Sequence, residues 1–419
     1  MTAPAPTDLT PDRVRAELAA WVGQHWDPAM SLRDWRELLF ESGWAVPSWP
    51  ERWHGRELPA WADELAGREL LRLGAVGVPV GSGTWLAAPT ILAHGSDELR
   101  ERLLRSTLTG ELTWCQLFSE PGAGSDLAGL STTAVLDGTT WVINGQKVWN
   151  TSAHHADLGM LLARTDSGVP KHHGITYFVL PMRQPGVEVR RLRQMNHHAS
   201  FNEVFLTDAR VPMDNVVGAV GHGWTAALTT LAYERRFAAL RRPSYSPAPG
   251  RALDEARAEA DDHFATYSWY PQRAGRPDLI IEHARAAGVA DDPVIRQAIA
   301  RLLTLHRVSA WTAERARAAR ALGARPGAEG SIGKLAASNI ARESAKVHAM
   351  IAGAKGLLTG PDSALGGVVA EVLMSVPGQS IAGGTDEIQK NILAEKVLGL
   401  PGEIRVDKDI PFSQIGHRG

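Results

Sequence analysis

A short turn rich in small residues is the first stretch of the chain whose composition suits ligand binding. Residues 120–126 read Glu-Pro-Gly-Ala-Gly-Ser-Asp and follow a largely apolar run that ends at Phe118. Glycine tolerates unusual backbone dihedrals and allows close approach to a ligand, so such a turn exposes backbone N–H groups. A turn of this kind is also ordinary in a β-rich region, and it becomes informative only together with its neighbours.

A second candidate stretch follows soon after. Residues 141–152 read Trp-Val-Ile-Asn-Gly-Gln-Lys-Val-Trp-Asn-Thr-Ser. The dipeptide Asn144-Gly145 between two strand-like runs predicts a hairpin turn. Strand alternation after that turn would place Trp149 and Thr151 on one face, where an indole and a hydroxyl could contact one flat ligand.

Hydrophobic periodicity divides the chain into three parts that must position these stretches. Helical spacing holds over residues 1–112, β-type alternation covers 113–219, and helical spacing returns over 220–419. Thr385 is predicted to cap the last helix, with Glu387 in its first turn facing the helix dipole. We therefore predict an α+β protein with an N-terminal helical domain, a middle antiparallel β-domain and a C-terminal helical bundle.

Composition excludes several classes of function. Lys and Arg number 44 and Asp and Glu number 46, so the balance of charge does not favour nucleic acid or an anionic membrane surface. No apolar run is long enough to span a bilayer, and the first residues lack the pattern of a signal peptide, so we expect a cytoplasmic protein. A single cysteine, Cys115, excludes an intrachain disulfide. We predict no metal site, because the adjacent histidine pairs at 154–155, 172–173 and 197–198 would point to opposite strand faces.

Taken together and in this order, the turn at 120–126 and the stretch at 141–152 resemble the flavin-binding core of the acyl-CoA dehydrogenase family. Later motifs support the resemblance over most of the chain apart from roughly residues 241–293. These motifs are Phe201-Asn202-Glu203-Val204-Phe205, the run from Gly221-His222-Gly223-Trp224 to Glu234-Arg235, Gly383-Gly384-Thr385-Asp386-Glu387-Ile388-Gln389 and Leu398-Gly399-Leu400-Pro401.

The resemblance implies an enzyme that uses FAD to oxidise an acyl-CoA thioester to the trans-2-enoyl-CoA. In such an enzyme a carboxylate removes the α-proton while the β-hydrogen leaves as hydride. An electron-transfer flavoprotein is the expected acceptor. By position in the matching motifs, the FAD contacts fall on Phe118, Ser119, Gly124, Ser125, Trp149, Asn150, Thr151, Thr385 and Glu387. Ser125, Arg235 and Gly383 are expected to contact the substrate.

The catalytic base departs from the pattern of many family members. Those members carry a glutamate immediately before the last Gly-Thr, where this chain has Gly383, which offers only its backbone N–H. Other members place the glutamate on the main helix just before an arginine, and Glu234-Arg235 fits that alternative. Glu234 follows Leu228 and Leu231 at helical spacing, which predicts a position at the edge of a buried stripe. We therefore predict that Glu234 is the base, although a solvated surface glutamate remains the alternative.

Two further departures concern the residues by which a second subunit usually completes the FAD site. An Arg-x-x-Phe-Gly motif is replaced by a longer stretch over residues 270–276, and Met350 stands where a glutamine is usual. This pattern is similar to actinobacterial members that act on steroid-derived or other bulky CoA thioesters, often as tetramers of two unlike subunits. We expect a homo- or hetero-oligomer with a paralogous subunit. Two alternatives stay open: a catalytically silent subunit, or a flavin oxidase or oxygenase on the same fold.

Overall fold

The computed structural model describes residues 9–237, 242–321, 329–404 and 407–415. The chain forms two compact units, each with its own core. The first contains Met1–Leu192, Ser200–Thr266 and Asp407–Gly419, and the second contains Arg193–Ala199 and Tyr267–Val406. The predicted division at residues 112 and 219 stays a prediction.

Helices open the first unit, and polar side chains cap the start of three of them. They are α1 (Pro11–His25), α2 (Leu32–Glu41), α3 (Trp61–Arg72), α4 (Ala88–His94) and α5 (Asp97–Thr109), with a π-helical turn at Gly83–Ala87 before α4. Side chains of Thr10, Ser31 and Ser96 accept hydrogen bonds from the first turns of α1, α2 and α5. Trp35 is fully buried between these helices and donates to the carbonyl of Val76 at 2.6 Å.

A seven-stranded sheet follows α5 and carries the turn at 120–126. Its strands are β1 (Trp114–Leu117), β2 (Thr133–Asp137), β3 (Thr140–Lys147), β4 (Leu158–Arg164), β5 (Ile175–Pro181), β6 (Val187–Leu192) and β7 (Phe201–Pro212). The order is β1-β4-β2-β3-β7-β6, with β5 on β4. Most pairs are antiparallel, but β1 and β2 each pair with β4 in parallel. The turn therefore leaves the carboxyl end of β1.

Two predictions about the stretch at 141–152 are wrong. Asn144 and Gly145 lie inside β3, where the pairing with β7 shifts register, and the hairpin turn lies instead around Gly138, whose φ is +61°. Gly145 serves close packing, because a Cβ there would lie 2.4 Å from the hydroxyl oxygen of Thr132. β3 ends at Lys147, and Trp149 follows it in a left-handed conformation with φ of +65°. Trp149 and Thr151 therefore lie in a loop and do not alternate along a strand.

The first unit also contains α6 (Gly223–Phe237) and α7 (Arg251–Ala265), and small residues seat α6 against β5. A Cβ on Gly223 would lie 2.4 Å from the backbone nitrogen of Tyr177, so only glycine permits this approach. Ala226, Ala227 and Thr230 form the buried face of α6. The prediction that Leu228 belongs to a buried stripe is wrong, because Leu228 is 48% exposed. The small residues make the close contact that the larger leucine was expected to make.

The second unit is helical. It contains α8 (Tyr270–Arg273), α9 (Ile280–Ala286), α10 (Pro293–Ala321), α11 (Glu329–Ala352), α12 (Val368–Ser375) and α13 (Asp386–Lys396). Ile280, Leu302 and Val347 pack in a core shared by α9, α10 and α11. Across the described residues, no helix is both long enough and apolar enough to cross a membrane. Helices before and after one mainly antiparallel sheet confirm the predicted α+β class.

Candidate active site

A buried ion pair shapes the chain where β1 ends. The ammonium of Lys147 lies 2.8 Å from Glu120 Oε1 and also donates to the carbonyl of Phe118 at 3.1 Å. The side chains of Lys147 and Glu120 are 0% and 5% exposed. Residues just beyond the turn complete the site, since Ser131 N–H donates to Glu120 Oε2 at 2.7 Å and Thr132 N–H to Oε1 at 2.9 Å. One carboxylate thereby joins β1, β3 and the segment that leads into β2.

The charges of this pair stabilise each other. Burial by itself would raise the pKa of Glu120, but the charge and hydrogen bond of Lys147 and the donors at Ser131 and Thr132 hold that pKa well below its usual value. Burial lowers the pKa of Lys147, and the contact with Glu120 opposes this effect. The geometry is that of a buried ion pair held by several hydrogen bonds, in which removal of one partner leaves a buried charge.

The turn itself is held closed at its base and open at its tip. Glu120 and Ala123 exchange two backbone hydrogen bonds, each 3.0 Å long. Gly124 and Ser125, both predicted to contact FAD, are exposed at the tip. Phe118 is buried edge-to-face against Tyr177, with ring centroids 5.8 Å apart, and Ser119 accepts from Val148 N–H at 3.0 Å. The residues predicted to contact FAD on this side of the site therefore lie in one short segment of the chain.

The loop after β3 lies beside the end of β1. Asn150 and Asn202 exchange two backbone hydrogen bonds of 3.1 Å, and the Asn150 side-chain amide donates to the carbonyl of Gln116 at 2.8 Å. The Asn202 amide also donates to the Asn150 carbonyl at 2.7 Å. Trp149 is 56% exposed and packs edge-on against Phe201. The structure thus brings Trp149 and Asn150 next to the Phe118–Ser119 segment. Asn202, which the sequence shows only as a member of the motif at 201–205, supports this arrangement.

The predicted base lies in the same neighbourhood. The Gln116 side-chain amide donates to Glu234 Oε2 at 3.3 Å, and both side chains are partly buried. Gln116 therefore links α6 to β1, two residues before Phe118. The role of Gln116 is not predictable from a local sequence pattern, because its partner lies 118 positions away along the chain. The side chain of Arg235, predicted to contact substrate, lies outside the described residues.

The second unit holds the remaining predicted residues on one loop and helix start. Gly383 is exposed, with φ of +68°, and its carbonyl accepts from the Gln389 amide at 3.0 Å. Thr385 caps α13 as predicted, its hydroxyl accepting from Ile388 N–H at 3.2 Å. Glu387 is exposed on the first turn, 3.9 Å from the ammonium of Lys390. The roles of these residues toward cofactor and substrate stay predictions.

A buried aspartate fixes this second loop. Asp386 lies 2.8 Å from the ammonium of Lys334 and 2.7 Å from a guanidinium nitrogen of Arg342, both on α11. Burial would raise the pKa of Asp386, but hydrogen bonds from Lys334, Ser338 and Arg342 hold it well below its usual value. The carboxylate therefore stays charged and ties the start of α13 to α11. From the sequence, Asp386 is recognised only as a member of the motif at residues 383–389.

The donor set in the first unit fits a flavin. Within the described part of the chain, the hydroxyls of Ser119, Ser125 and Thr151 have no hydrogen-bond partner. Asn150 adds a buried side-chain oxygen that is also without a partner among these residues. An exposed indole beside free polar groups suits a flat ring system with a polar edge. No cluster of three or more His, Cys, Asp or Glu side chains arranged to hold a metal ion occurs in the described ranges.

Comparison with known proteins identifies the family. Residues 8–111, 115–209 and 278–398 match the models of the N-terminal, middle and C-terminal domains of acyl-CoA dehydrogenases. Acyl-CoA dehydrogenase IpdE1 of Mycobacterium tuberculosis is 36% identical over 379 residues, which cover 89% of each chain. The chain belongs to the acyl-CoA dehydrogenase family. It is therefore an oxidoreductase, and members of this family are in general FAD-dependent flavoproteins.

Other relatives and solved structures agree with this assignment. Acyl-CoA dehydrogenase FadE34 of Mycobacterium tuberculosis is 36% identical over 388 residues, covering 93% of this chain and 49% of that protein. The ChsE4-ChsE5 complex from the same organism has a TM-score of 0.64 at 25% identity, covering 96% of this chain and 100% of that one. The Tcur3481-Tcur3483 steroid ACAD shares the fold, with a TM-score of 0.65 at 23% identity over 96% of this chain and 100% of that one.

The buried ion pair makes a prediction about stability. Replacement Glu120→Gln should lower the free energy of unfolding near neutral pH by about 3–5 kcal/mol, because it leaves the Lys147 charge buried without its partner. The folded-state pKa of Glu120 lies below its ordinary value of 4.5, so the contribution is complete above that pH and is lost as pH falls through the lowered pKa. Denaturant titrations at neutral and acidic pH measure both effects.

The matched control for this prediction is Glu188→Gln, which removes an exposed ion pair with Arg190 on β6. It should change unfolding little, because exposed pairs contribute little to stability. Equal losses for the two variants at neutral pH would contradict the structural role of Glu120.

Proposed function

We propose that this chain catalyses FAD-dependent α,β-dehydrogenation of an acyl-CoA thioester to the trans-2-enoyl-CoA, with Glu234 as the base. The contact between Gln116 and Glu234 supports this proposal most directly, because it holds the carboxylate beside the end of β1. Phe118, Ser119 and Asn150, three of the residues expected to bind FAD, lie at that same end. A carboxylate held next to a flavin-binding segment is the arrangement that α-proton removal requires.

Most of the residues proposed to hold FAD lie on one polar surface of the first unit. In the first unit Trp149 would pack on the ring system, and the free hydroxyls of Ser119 and Thr151 would meet its polar edge. Gly124 and Ser125 would contact the phosphate-bearing part through the exposed turn. Thr385 and Glu387 of the second unit are the remaining proposed contacts. Bound FAD would supply the acceptor for the β-hydrogen, which leaves as hydride.

The substrate needs a group that polarises its thioester carbonyl, because polarisation acidifies the α-proton. We assign this role to the backbone N–H of Gly383, which has an exposed and open position. The ion pairs of Asp386 with Lys334 and Arg342 tie the residue after this loop to α11. Ser125 and Arg235 are the further proposed substrate contacts. The departures at residues 270–276 and at Met350 support a bulky, steroid-derived acyl group. An electron-transfer flavoprotein is proposed as acceptor from the family resemblance alone.

Trp149 provides the first test of the cofactor site. Trp149→Ala should lower FAD retention through purification or shift the flavin absorbance spectrum, because the exposed indole no longer covers the ring. Trp61→Ala is the matched control, since Trp61 is 39% exposed on α3 of the same unit. Unchanged holoprotein yield and spectrum in the Trp149 variant would remove Trp149 from the site.

Glu234 provides the test of the reaction. Glu234→Gln keeps the shape and removes the base, so flavin bleaching by acyl-CoA under anaerobic conditions should slow by roughly two to four orders of magnitude. FAD content should stay at the wild-type level. The control is Glu101→Gln, which changes an exposed glutamate on α5. The flavin of this variant should be bleached at the wild-type rate. Normal bleaching by the Glu234 variant would exclude this residue as the base.

A second candidate function is that of a supporting subunit in an assembly with a paralogous chain. Met350 favours it, because this residue stands where family members carry a glutamine that completes a neighbouring FAD site, and it is 46% exposed. The ChsE4-ChsE5 complex is a precedent for a complex of two named chains in the family.

Mass measurement in solution, combined with flavin content, separates the two candidate functions. We expect an oligomer whose flavin content rises when a paralogous chain is co-expressed. A stable and fully active monomer would contradict any shared site, and a homotetramer with four flavins would contradict the heteromeric assembly.

A further inference from the structure

The segment 407–415 packs against the first unit next to the turn at 120–126. Phe412 N–H donates to the carbonyl of Val169 at 2.9 Å, and Ser413 N–H donates to the carbonyl of Ser167 at 2.9 Å. A β-bridge between Pro170 and Pro411 aligns the two chains. The segment therefore runs along the loop that connects β4 to β5.

One ammonium joins this segment to the turn. Lys171 Nζ lies 2.8 Å from Asp126 Oδ2 and 2.6 Å from Asp407 Oδ2. The Lys171 side chain is 11% exposed, and the side chains of Asp407 and Asp126 are 28% and 63% exposed, so water screens the contact with Asp407 less than the contact with Asp126. Burial opposes the charge of Lys171, but the bonds to Asp126 and Asp407 hold its pKa above its usual value. Asp126 is the last residue of the turn, so the segment holds the turn at its carboxyl end.

A buried guanidinium holds the chain immediately after the turn. Arg164 is 4% exposed and donates to the carbonyls of Ala128 at 2.7 Å, Leu130 at 3.1 Å and Lys171 at 3.1 Å. The ring of Phe412 covers it, with the guanidinium carbon 3.5 Å from the ring centroid. Phe412 therefore packs against the guanidinium that holds the chain after the turn, and Lys171 and Asp407 hold the end of the turn itself through ion pairs.

We propose that residues 407–415 form a strap whose Asp407 and Phe412 position the Gly122–Asp126 turn for a pyrophosphate-bearing nucleotide. Gly124 and Ser125 are exposed at the tip of the turn, and binding through them requires an ordered turn. Ordering a free turn costs conformational entropy at each binding event, and a preformed turn avoids this cost. The choice of ligand rests on the proposed function, because FAD and acyl-CoA, the two ligands of that function, both carry a pyrophosphate.

Hydrogen exchange on the FAD-free protein tests the strap without any reaction. The turn and its continuation contain backbone hydrogen bonds donated by Ala123, Gly129 and Leu130. Asp407→Asn and Phe412→Ala should each raise the exchange rate of a peptide covering residues 121–130 roughly fivefold. Asp409→Asn is the matched control, because it removes the same charge from an exposed residue of the segment. Wild-type protection in both variants, or equal loss in the control, would overturn the proposal.

Ligand titrations then test positioning. With Asp407→Asn, weaker binding of FAD would show that the turn receives the FAD pyrophosphate, and a raised KM for acyl-CoA at full FAD occupancy would show that it receives CoA. We expect a change of roughly fivefold in one of these constants, with kcat little affected. Wild-type values for both constants would overturn the positioning role. Absence of acyl-CoA turnover in the wild-type protein would contradict the proposed function, whereas hydrogen exchange would still report on the strap.

Discussion

The ion pair of Glu120 with Lys147 is the interaction on which the first unit's binding surface depends. It joins the end of β1, the end of β3 and the approach to β2 inside the protein, with both side chains at 5% exposure or less. Two buried charges are costly to desolvate, and the hydrogen bonds around this pair offset that cost. Buried contacts of Glu120 therefore hold the start of the turn, while the tip of the turn remains exposed to a ligand.

Hydrogen bonds of neighbouring side chains hold the loop after β3 and helix α6 near this ion pair. Asn150 and Asn202 join the loop after β3 to β7 and to β1, which leaves Trp149 exposed in a defined left-handed conformation. Gln116 then connects β1 to Glu234 on α6. Small residues along α6 allow that helix to lie close to β5, so that the carboxylate is carried on a closely packed helix. Close packing suits a catalytic base, since small displacements reduce rates strongly.

The sequence predicted local features well where one residue type has one physical reason. The hydroxyl of Thr385 caps α13 as expected, and the helical spacing predicted over residues 220–419 is found in long helices such as α10 and α11. It failed where a residue has two uses: Gly145 was read as a turn glycine but serves close packing against Thr132, and Leu228 was placed inside a stripe that smaller side chains fill. The partners of Gln116, Lys171 and Asp386 depend on distant chain segments, which no local pattern specifies.

If Glu234 removes the α-proton, exchange of that proton with solvent depends on its carboxylate. FAD-loaded wild-type protein and Glu234→Gln are incubated with an acyl-CoA in deuterated water, and deuterium at the α-carbon is followed by mass spectrometry. We expect rapid incorporation with the wild-type protein and a rate lower by roughly two orders of magnitude or more with the variant. Equal incorporation by the two proteins, with equal FAD content, would contradict this role of Glu234.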